Sequence, residues 1–112
     1  MKRLAPLLLA FLTLSAAPAP AAQTFTGTIT DDMCALAGHA SMRMGPTDAE
    51  CARACVSTHG ASYVLLDGRN VYVLSDQKTP DGWAGQKVKV VGTLDAKTKT
   101  IQVQSITGAA RS

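Results

Sequence analysis

The chain has 112 residues, 46% of them hydrophobic and 17% charged, and its formal net charge is +3. This length is that of one small domain rather than several. The charge is too small and too dispersed for a nucleic-acid-binding surface, which needs a concentrated basic face. Two of the basic residues also belong to the N-terminal segment, and without them the net charge falls to +1.

The first 22 residues have the order of a secretory signal peptide. Lys2 and Arg3 form a positive start, residues 4–14 are an apolar run, and residues 15–22 are mostly alanine and proline. The apolar run, at about 11 residues, is shorter than the roughly 20 that a transmembrane helix needs. We expect cleavage near residues 19–22. The product is then a bacterial protein of the periplasm or the cell exterior with no membrane anchor.

The mature domain, residues 23–112, is predicted to be mainly β with one helix. Thr47 and Glu50 form a capping box before the helix, and Gly60 is a natural stop after it. The tail from Thr107 onward is expected to be flexible. The predicted strands cover residues 24–30, 61–66, 71–74, 87–94 and 100–106, and the helix covers residues 48–58.

Five short strands expose two sheet edges unless the sheet closes on itself. We therefore predict a five-stranded OB-like small barrel, with a cysteine-bearing loop and the helix inserted between strands 1 and 2. An open five-stranded α+β sheet is the alternative. In OB barrels the loop between strands 1 and 2 often frames the ligand face. Here that insertion carries every cysteine and histidine of the chain.

Six short motifs follow one another along the mature chain. They are Gly27-x-x-x-Asp31-x-x-Cys34, Cys51-x-x-x-Cys55-Val56, Tyr63-Val64-Leu65, Val71-Tyr72-x-Leu74-x-Asp76-Gln77-Lys78-x-Pro80, Ala84-Gly85-x-Lys87-Val88-x-Val90-x-Gly92-Thr93 and Lys97-Thr98-Lys99-Thr100-Ile101-x-Val103-x-Ser105-Ile106. Together they cover roughly residues 24–106, and the pattern resembles a family of small exported bacterial proteins described only as a domain of unknown function. The resemblance implies an exported domain and brings no assigned activity.

The three cysteines, Cys34, Cys51 and Cys55, cannot all pair within one molecule. An oxidising compartment favours disulfides, so at least one sulfur must be free, metal-bound or bonded to another chain. A disulfide from Cys34 to Cys51 or to Cys55 would close a loop of about 20 residues, worth ~3 kcal/mol in the chain-entropy model. Cys51 and Cys55 share one helix face, where a bond between them would distort the turn.

A metal site is the more specific hypothesis. Cys51 and Cys55 present two sulfurs from consecutive helical turns, and His59 extends that face by another turn. Cys34 or His39 would arrive from the loop. Three cysteines with one histidine form a tetrahedral donor set that suits zinc. The candidate ligands are therefore Cys34, Cys51, Cys55, His39 and His59.

The loop also contains side chains that favour a different metal or a structural role. Met42 and Met44 add soft donors, and cysteine with methionine selects copper(I), although methionine usually fills packing gaps. Asp31 and Asp32 precede Cys34 and either cap a turn or raise the pKa of a nearby thiol. Because neighbouring carboxylates disfavour a thiolate, Cys34 is a poor candidate for an activated nucleophile.

No catalytic motif is visible in the chain: it has no Cys-x-x-Cys pair, no phosphate-binding glycine loop and no Ser-His-Asp grouping. We therefore expect a non-enzymatic binding module, with zinc or copper as the favoured ligand. The alternatives are a disulfide-stabilised domain that binds a protein partner not identified by the sequence, and a thiol redox sensor.

Overall fold

The computed structural model describes residues 21–41 and 43–109, so the expected signal peptide lies almost wholly outside the described residues. The elements are β1 Gln23–Asp31, α1 Asp48–His59, β2 Tyr63–Asp67, β3 Asn70–Leu74, β4 Lys87–Asp95 and β5 Thr100–Gly108, with 3-10 turns at His39–Ser41 and Thr79–Trp83. The predicted class, mainly β with one helix, is confirmed. None of the helices within the described ranges is long and apolar enough to span a membrane.

The five strands form one sheet that closes in a ring in the order β1-β2-β3-β5-β4. Neighbouring strands are antiparallel except β3 and β5, which form a short parallel pair through Val73↔Thr100 and Leu74↔Ile101. Closing the ring leaves no long row of unpaired backbone groups at an edge. The strands therefore do not form the open sheet that was the alternative prediction.

Strand β1 changes its partner halfway along its length. It pairs with β4 from Gln23 to Thr28 and with β2 from Thr28 to Asp31. Gly27 lies beside this change of partner, and a Cβ atom there would fall against the carbonyl oxygen of Leu66 on β2. The mid-strand glycine is thus required by the close approach of two strands at a corner of the ring. The second half of β1 ends at the cysteine-bearing loop.

Helix α1 begins and ends where its caps predict. The Thr47 hydroxyl oxygen accepts the Glu50 backbone N–H at 3.1 Å, and Gly60 adopts the left-handed conformation with φ of 67°. These caps satisfy backbone groups that a helix end otherwise leaves unpaired. The helix turns its buried face towards β1 and the loop. The buried residues of that face are Cys51, Ala52 and Cys55.

Two clusters of buried side chains hold the fold together. The larger cluster fills the ring and contains Ile29, Ala52, Tyr63, Leu65, Leu74, Ala84, Val88, Val90 and Ile101. The smaller cluster contains Cys34, Cys51, Cys55 and Ala61, and the half-buried Val56 packs against both. The three thiols therefore lie in a compartment of their own, between the loop and the helix.

Strand β5 extends further than the sequence predicted. The tail was expected to be flexible from Thr107, but Thr107 pairs with Lys89 and Gly108 pairs with Val88. The backbone N–H of Ala109 also donates to the Lys87 carbonyl at 3.1 Å. Strand β4 is long enough to offer these partners, so the ladder continues past the point where the apolar alternation of β5 fades.

Candidate metal centre

The loop after β1 is shaped by one carboxylate. Asp31 Oδ2 accepts the backbone N–H groups of Met33 and Cys34, both at 3.1 Å. The loop then turns back on itself, with the Gly38 N–H donating to the Cys34 carbonyl at 2.8 Å. The sequence-based expectation that Asp31 caps a turn is confirmed. The consequence is that the Cys34 side chain is held 99% buried against α1.

A hydrogen bond to a residue of β1 positions the His39 side chain. Its Nε2 atom and the hydroxyl oxygen of Thr30 lie 2.9 Å apart, which makes one hydrogen bond. The His39 side chain is 10% exposed, and its Nδ1 atom lies 4.0 Å from Asp31 Oδ1. The hydrogen bond thus fixes which ring nitrogen faces the carboxylate and the cysteines.

The loop and the helix bring candidate ligands from distant parts of the chain together. One potential ligand atom each from Cys34, His39 and Cys51 lies within 4.8 Å of the other two, and the same holds for Asp31, Cys34 and Cys55. A tetrahedral zinc ion that binds two sulfurs at about 2.3 Å holds them about 3.8 Å apart. The upper bound of 4.8 Å is about 1 Å longer than this, so side-chain movements of that order would be needed to form a tetrahedral site.

Burial favours the protonated form of two of the thiols, those of Cys34 and Cys55. Burial raises the pKa of Cys55 to about 12, and the negative charge of Asp31 adds to the rise. The pKa of Cys34 is raised by the same two causes in the same order. The raised pKa of Cys34 favours its protonated thiol, as the neighbouring carboxylates predict. A metal ion inverts this balance because it stabilises the thiolate and displaces the proton.

Two buried polar atoms at the centre of the cluster lack a hydrogen bond. Within the described part of the chain, Asp31 Oδ1 and His39 Nδ1 have no hydrogen-bond partner, although they lie 4.0 Å from each other. A buried polar group without a partner typically costs about 1–3 kcal/mol, so native folds rarely retain two side by side. A carboxylate oxygen and an imidazole nitrogen are both ordinary ligands of transition metals. A cation between them would satisfy both.

A cavity of about 170 Å³ adjoins the cluster and includes Cys34 and His39 in its walls. The same walls include Thr28 and Thr30 from β1 and Asp48 from the start of α1. A space of this size holds several water molecules. It therefore offers a route by which an ion and its hydration shell could reach the two donors.

The structure separates the predicted ligands into two sets. Cys34, Cys51, Cys55 and His39 come together, whereas His59 lies exposed at the end of α1 and belongs to neither donor group. The geometry of a helix gives the reason, since eight residues advance about 12 Å along the axis and rotate about 80° from the starting face. His59 is thus too far from Cys51 to share one coordination sphere.

The methionines contribute differently from the prediction. Met42 lies outside the described residues. Met44 is 39% exposed, and its backbone N–H, rather than its thioether, meets the cluster by donating to Cys51 Sγ at 3.2 Å. An N–H group that donates to a cysteine sulfur stabilises its thiolate form, and such contacts are common around the ligands of metal sites.

The candidate disulfides, Cys34 with Cys51 or with Cys55, are not formed in the structure. The three cysteines are buried, and none of them belongs to a disulfide within the described part of the chain. Sequence reasoning also missed two members of the site, Asp31 as a potential ligand and Thr30 as the partner of His39. The Asp31-x-x-Cys34 spacing was the available signal for Asp31. Thr30 gave none, because its contact with His39 depends on the path of the loop.

No family model matches this chain, and neither a curated protein nor a solved structure matches it.

Proposed function

We propose that this protein is an exported, non-enzymatic metal-binding module whose ion is zinc or copper. Cys34, Cys51 and His39 are the primary ligands, and Cys55 adjoins them as a further thiol donor. One observation carries the proposal: three buried donor atoms from a loop and a helix lie within 4.8 Å of one another. Sulfur with imidazole nitrogen is the donor set that these borderline and soft metals prefer.

We also propose that the ring is an OB-like barrel and that the insertion between β1 and β2 is its ligand-binding element. The closed strand order β1-β2-β3-β5-β4 supports the OB-like barrel. The helix departs from the usual OB position between strands 3 and 4, since α1 lies between β1 and β2 along the chain. In OB barrels this connection commonly frames the ligand surface. Four of the donors lie in this connection, and Asp31 is the last residue of β1.

Export to the periplasm or the cell exterior is part of the same proposal. The first strand begins at Gln23, so cleavage near residues 19–22 would leave it intact. An extracytoplasmic location suits a site that captures metal, and it also exposes free thiols to oxidation. Metal binding would protect these thiols, because a coordinated thiolate is no longer available to form a disulfide.

The test is metal stoichiometry together with a matched pair of histidine variants. The exported protein, purified without oxygen and then dialysed against zinc or copper(I), should retain about one ion per chain by elemental analysis. His39→Gln should weaken binding at least tenfold, because it removes one of the primary donors. His59→Gln should bind like the wild type, because that side chain lies outside the cluster.

The competing function is a disulfide-stapled interaction domain or a thiol redox sensor. The close approach of Cys34 to the sulfurs of Cys51 and Cys55, which takes the form of hydrogen bonds, favours this alternative. It predicts one alkylatable thiol rather than three in the freshly exported protein, and no retained metal. Such a result, with His39→Gln indistinguishable from His59→Gln, would reject the metal site.

A further inference from the structure

Asp31 has an environment that a carboxylate rarely tolerates. The residue is fully buried. One of its oxygens accepts two backbone N–H groups, and the other has no hydrogen-bond partner among the described residues. His39 faces the carboxylate from the loop, with its Nδ1 atom 4.0 Å from Asp31 Oδ1. The thiols of Cys34, in the loop, and Cys55, in α1, also face the carboxylate. Leaving a buried charge uncompensated costs several kcal/mol.

The charge count of the cluster depends on which ion it holds. Two cysteine thiolates and the Asp31 carboxylate bring three negative charges into one buried compartment. A divalent ion leaves one of these charges unbalanced, and a monovalent ion leaves two. Because residual charge is costly in a buried site, the presence of Asp31 favours the divalent ion.

The chemistry of the donor atoms also favours a divalent ion. Carboxylate oxygen is an ordinary ligand of zinc, at about 2.0–2.2 Å, beside sulfur and nitrogen. Copper(I) prefers thiolate and thioether sulfur and gains little from a carboxylate. The contact of Met44 with Cys51 is also made by the backbone N–H and adds no thioether ligand for copper(I).

We propose that Asp31 is a member of the metal centre and that it selects a divalent ion of the zinc type over copper(I). The inference rests on the proposed function and narrows it to one class of ion. Asp31 acts either as a direct oxygen ligand or as a nearby negative charge, which attracts a divalent ion twice as strongly as a monovalent one. In both cases its removal must affect a divalent ion more than a monovalent one.

The experiment compares Asp31→Asn with Asp32→Asn in the reduced full-length protein. Asparagine keeps one oxygen, which can accept the Met33 and Cys34 N–H groups, and replaces the other oxygen by an NH2 group, so it removes both the charge and the candidate ligand atom. Asp32 is the matched control, because it is the next residue, is exposed and accepts the Ser62 N–H, at 3.2 Å, outside the cluster. Each protein is titrated without oxygen against zinc and against copper(I), with a competing chelator of known affinity for each ion.

We expect Asp31→Asn to weaken zinc binding tenfold or more. The copper(I) affinity should fall by only about the square root of the zinc factor, which is about threefold for a tenfold loss of zinc binding, because the Coulomb attraction of a monovalent ion to the lost charge is half as large. Asp32→Asn should leave both affinities within about twofold of the wild type, because its charge is exposed to solvent. An equal loss for both ions, or a zinc loss in Asp32→Asn that matches that of Asp31→Asn, would overturn the inference.

A measurement on the wild type covers the case in which Asp31→Asn does not fold. The infrared difference spectrum between the zinc-loaded and the metal-free protein should show one shifted carboxylate stretch, and copper(I) loading should show none. The absence of a carboxylate shift with zinc would refute the role of Asp31. A wild-type protein that binds neither ion would instead refute the proposed function itself, so the two failures can be told apart.

Discussion

Replacing Thr30 by valine isolates a single contact of the candidate site. Thr30 is 4% exposed, and its hydroxyl lies 2.9 Å from His39 Nε2. Valine has nearly the same shape, so the packing around β1 should persist while the hydrogen bond is lost. If Nε2–H donates to the hydroxyl, Nδ1 carries the lone pair that faces Asp31 and the thiols. Thr30 is then a positioning residue that fixes the tautomer needed for metal binding.

The expected magnitude follows from the role of such contacts. Loss of a hydrogen bond to the non-coordinating nitrogen of a metal-binding histidine typically weakens metal affinity by about 10–100-fold, which is ~1.4–2.7 kcal/mol at room temperature. The valine variant should therefore show zinc affinity reduced by that factor in a chelator competition. Thr26→Val makes the same substitution at an exposed position of β1 and should leave the affinity unchanged.

The tautomer itself can be read by long-range ¹H–¹⁵N NMR of the imidazole ring. In the zinc-loaded wild type, His39 should carry its proton on Nε2, with the metal on Nδ1. Two results would refute the reasoning: metal bound to Nε2, or Thr30→Val with wild-type zinc affinity. A loss of affinity that is the same in Thr30→Val and Thr26→Val would show a general effect on β1 instead.

Three further predictions concern the stability of the ring. Gly27→Ala should lower the free energy of unfolding in urea by at least about 1–3 kcal/mol, because its Cβ meets the facing backbone, whereas Gly82→Ala adds a Cβ to open space and should change it little. Tyr63→Phe should cost about 1.5–3 kcal/mol, because the buried Tyr63 hydroxyl donates to Asp81 at 2.5 Å. Hydrogen bonds from the Lys78–Thr79 turn lower the pKa of Asp76. The stabilisation of the fold by this carboxylate is therefore present above about pH 4 and is lost as the pH falls further. Between pH 5 and pH 3 the urea midpoint of Asp76→Asn should consequently fall less than that of the wild type.

The parts of the fold that the sequence predicted are those fixed by local interactions. The ends of α1 depend on Thr47 and Gly60, each within a few residues of the backbone groups that it satisfies. The strands depend on a two-residue alternation that can be read directly from the chain. The observed strand ends differ from the predicted ones where pairing with another strand sets them, as pairing with β4 extends β5 to Gly108. The parallel contact of β3 with β5 joins residues far apart in sequence, and no local signal specifies it.

The candidate site was predicted as a set of side chains rather than as a geometry. The sulfur pair of α1 follows from a four-residue spacing, and the structure buries both side chains on one face. The choice between the two histidines could not be made from the sequence, because His39 joins the cluster only through the path of its loop. That path depends on Thr30 and Asp31, whose backbone positions are fixed by pairing of β1 with β2.

The division of the buried side chains into two clusters determines how metal binding couples to folding. The ring has its own apolar core, so the strands have a source of stability that does not depend on the ion. Among the described residues, the buried members of the thiol cluster are Cys34, Cys51, Cys55 and Ala61, and the adjoining Asp31 Oδ1 and His39 Nδ1 atoms have no hydrogen-bond partner. An ion bound there would stabilise the arrangement of loop and helix by its binding free energy. Because Ala52 packs α1 into the ring's core, the loop rather than the helix would be the element whose order depends most on the metal.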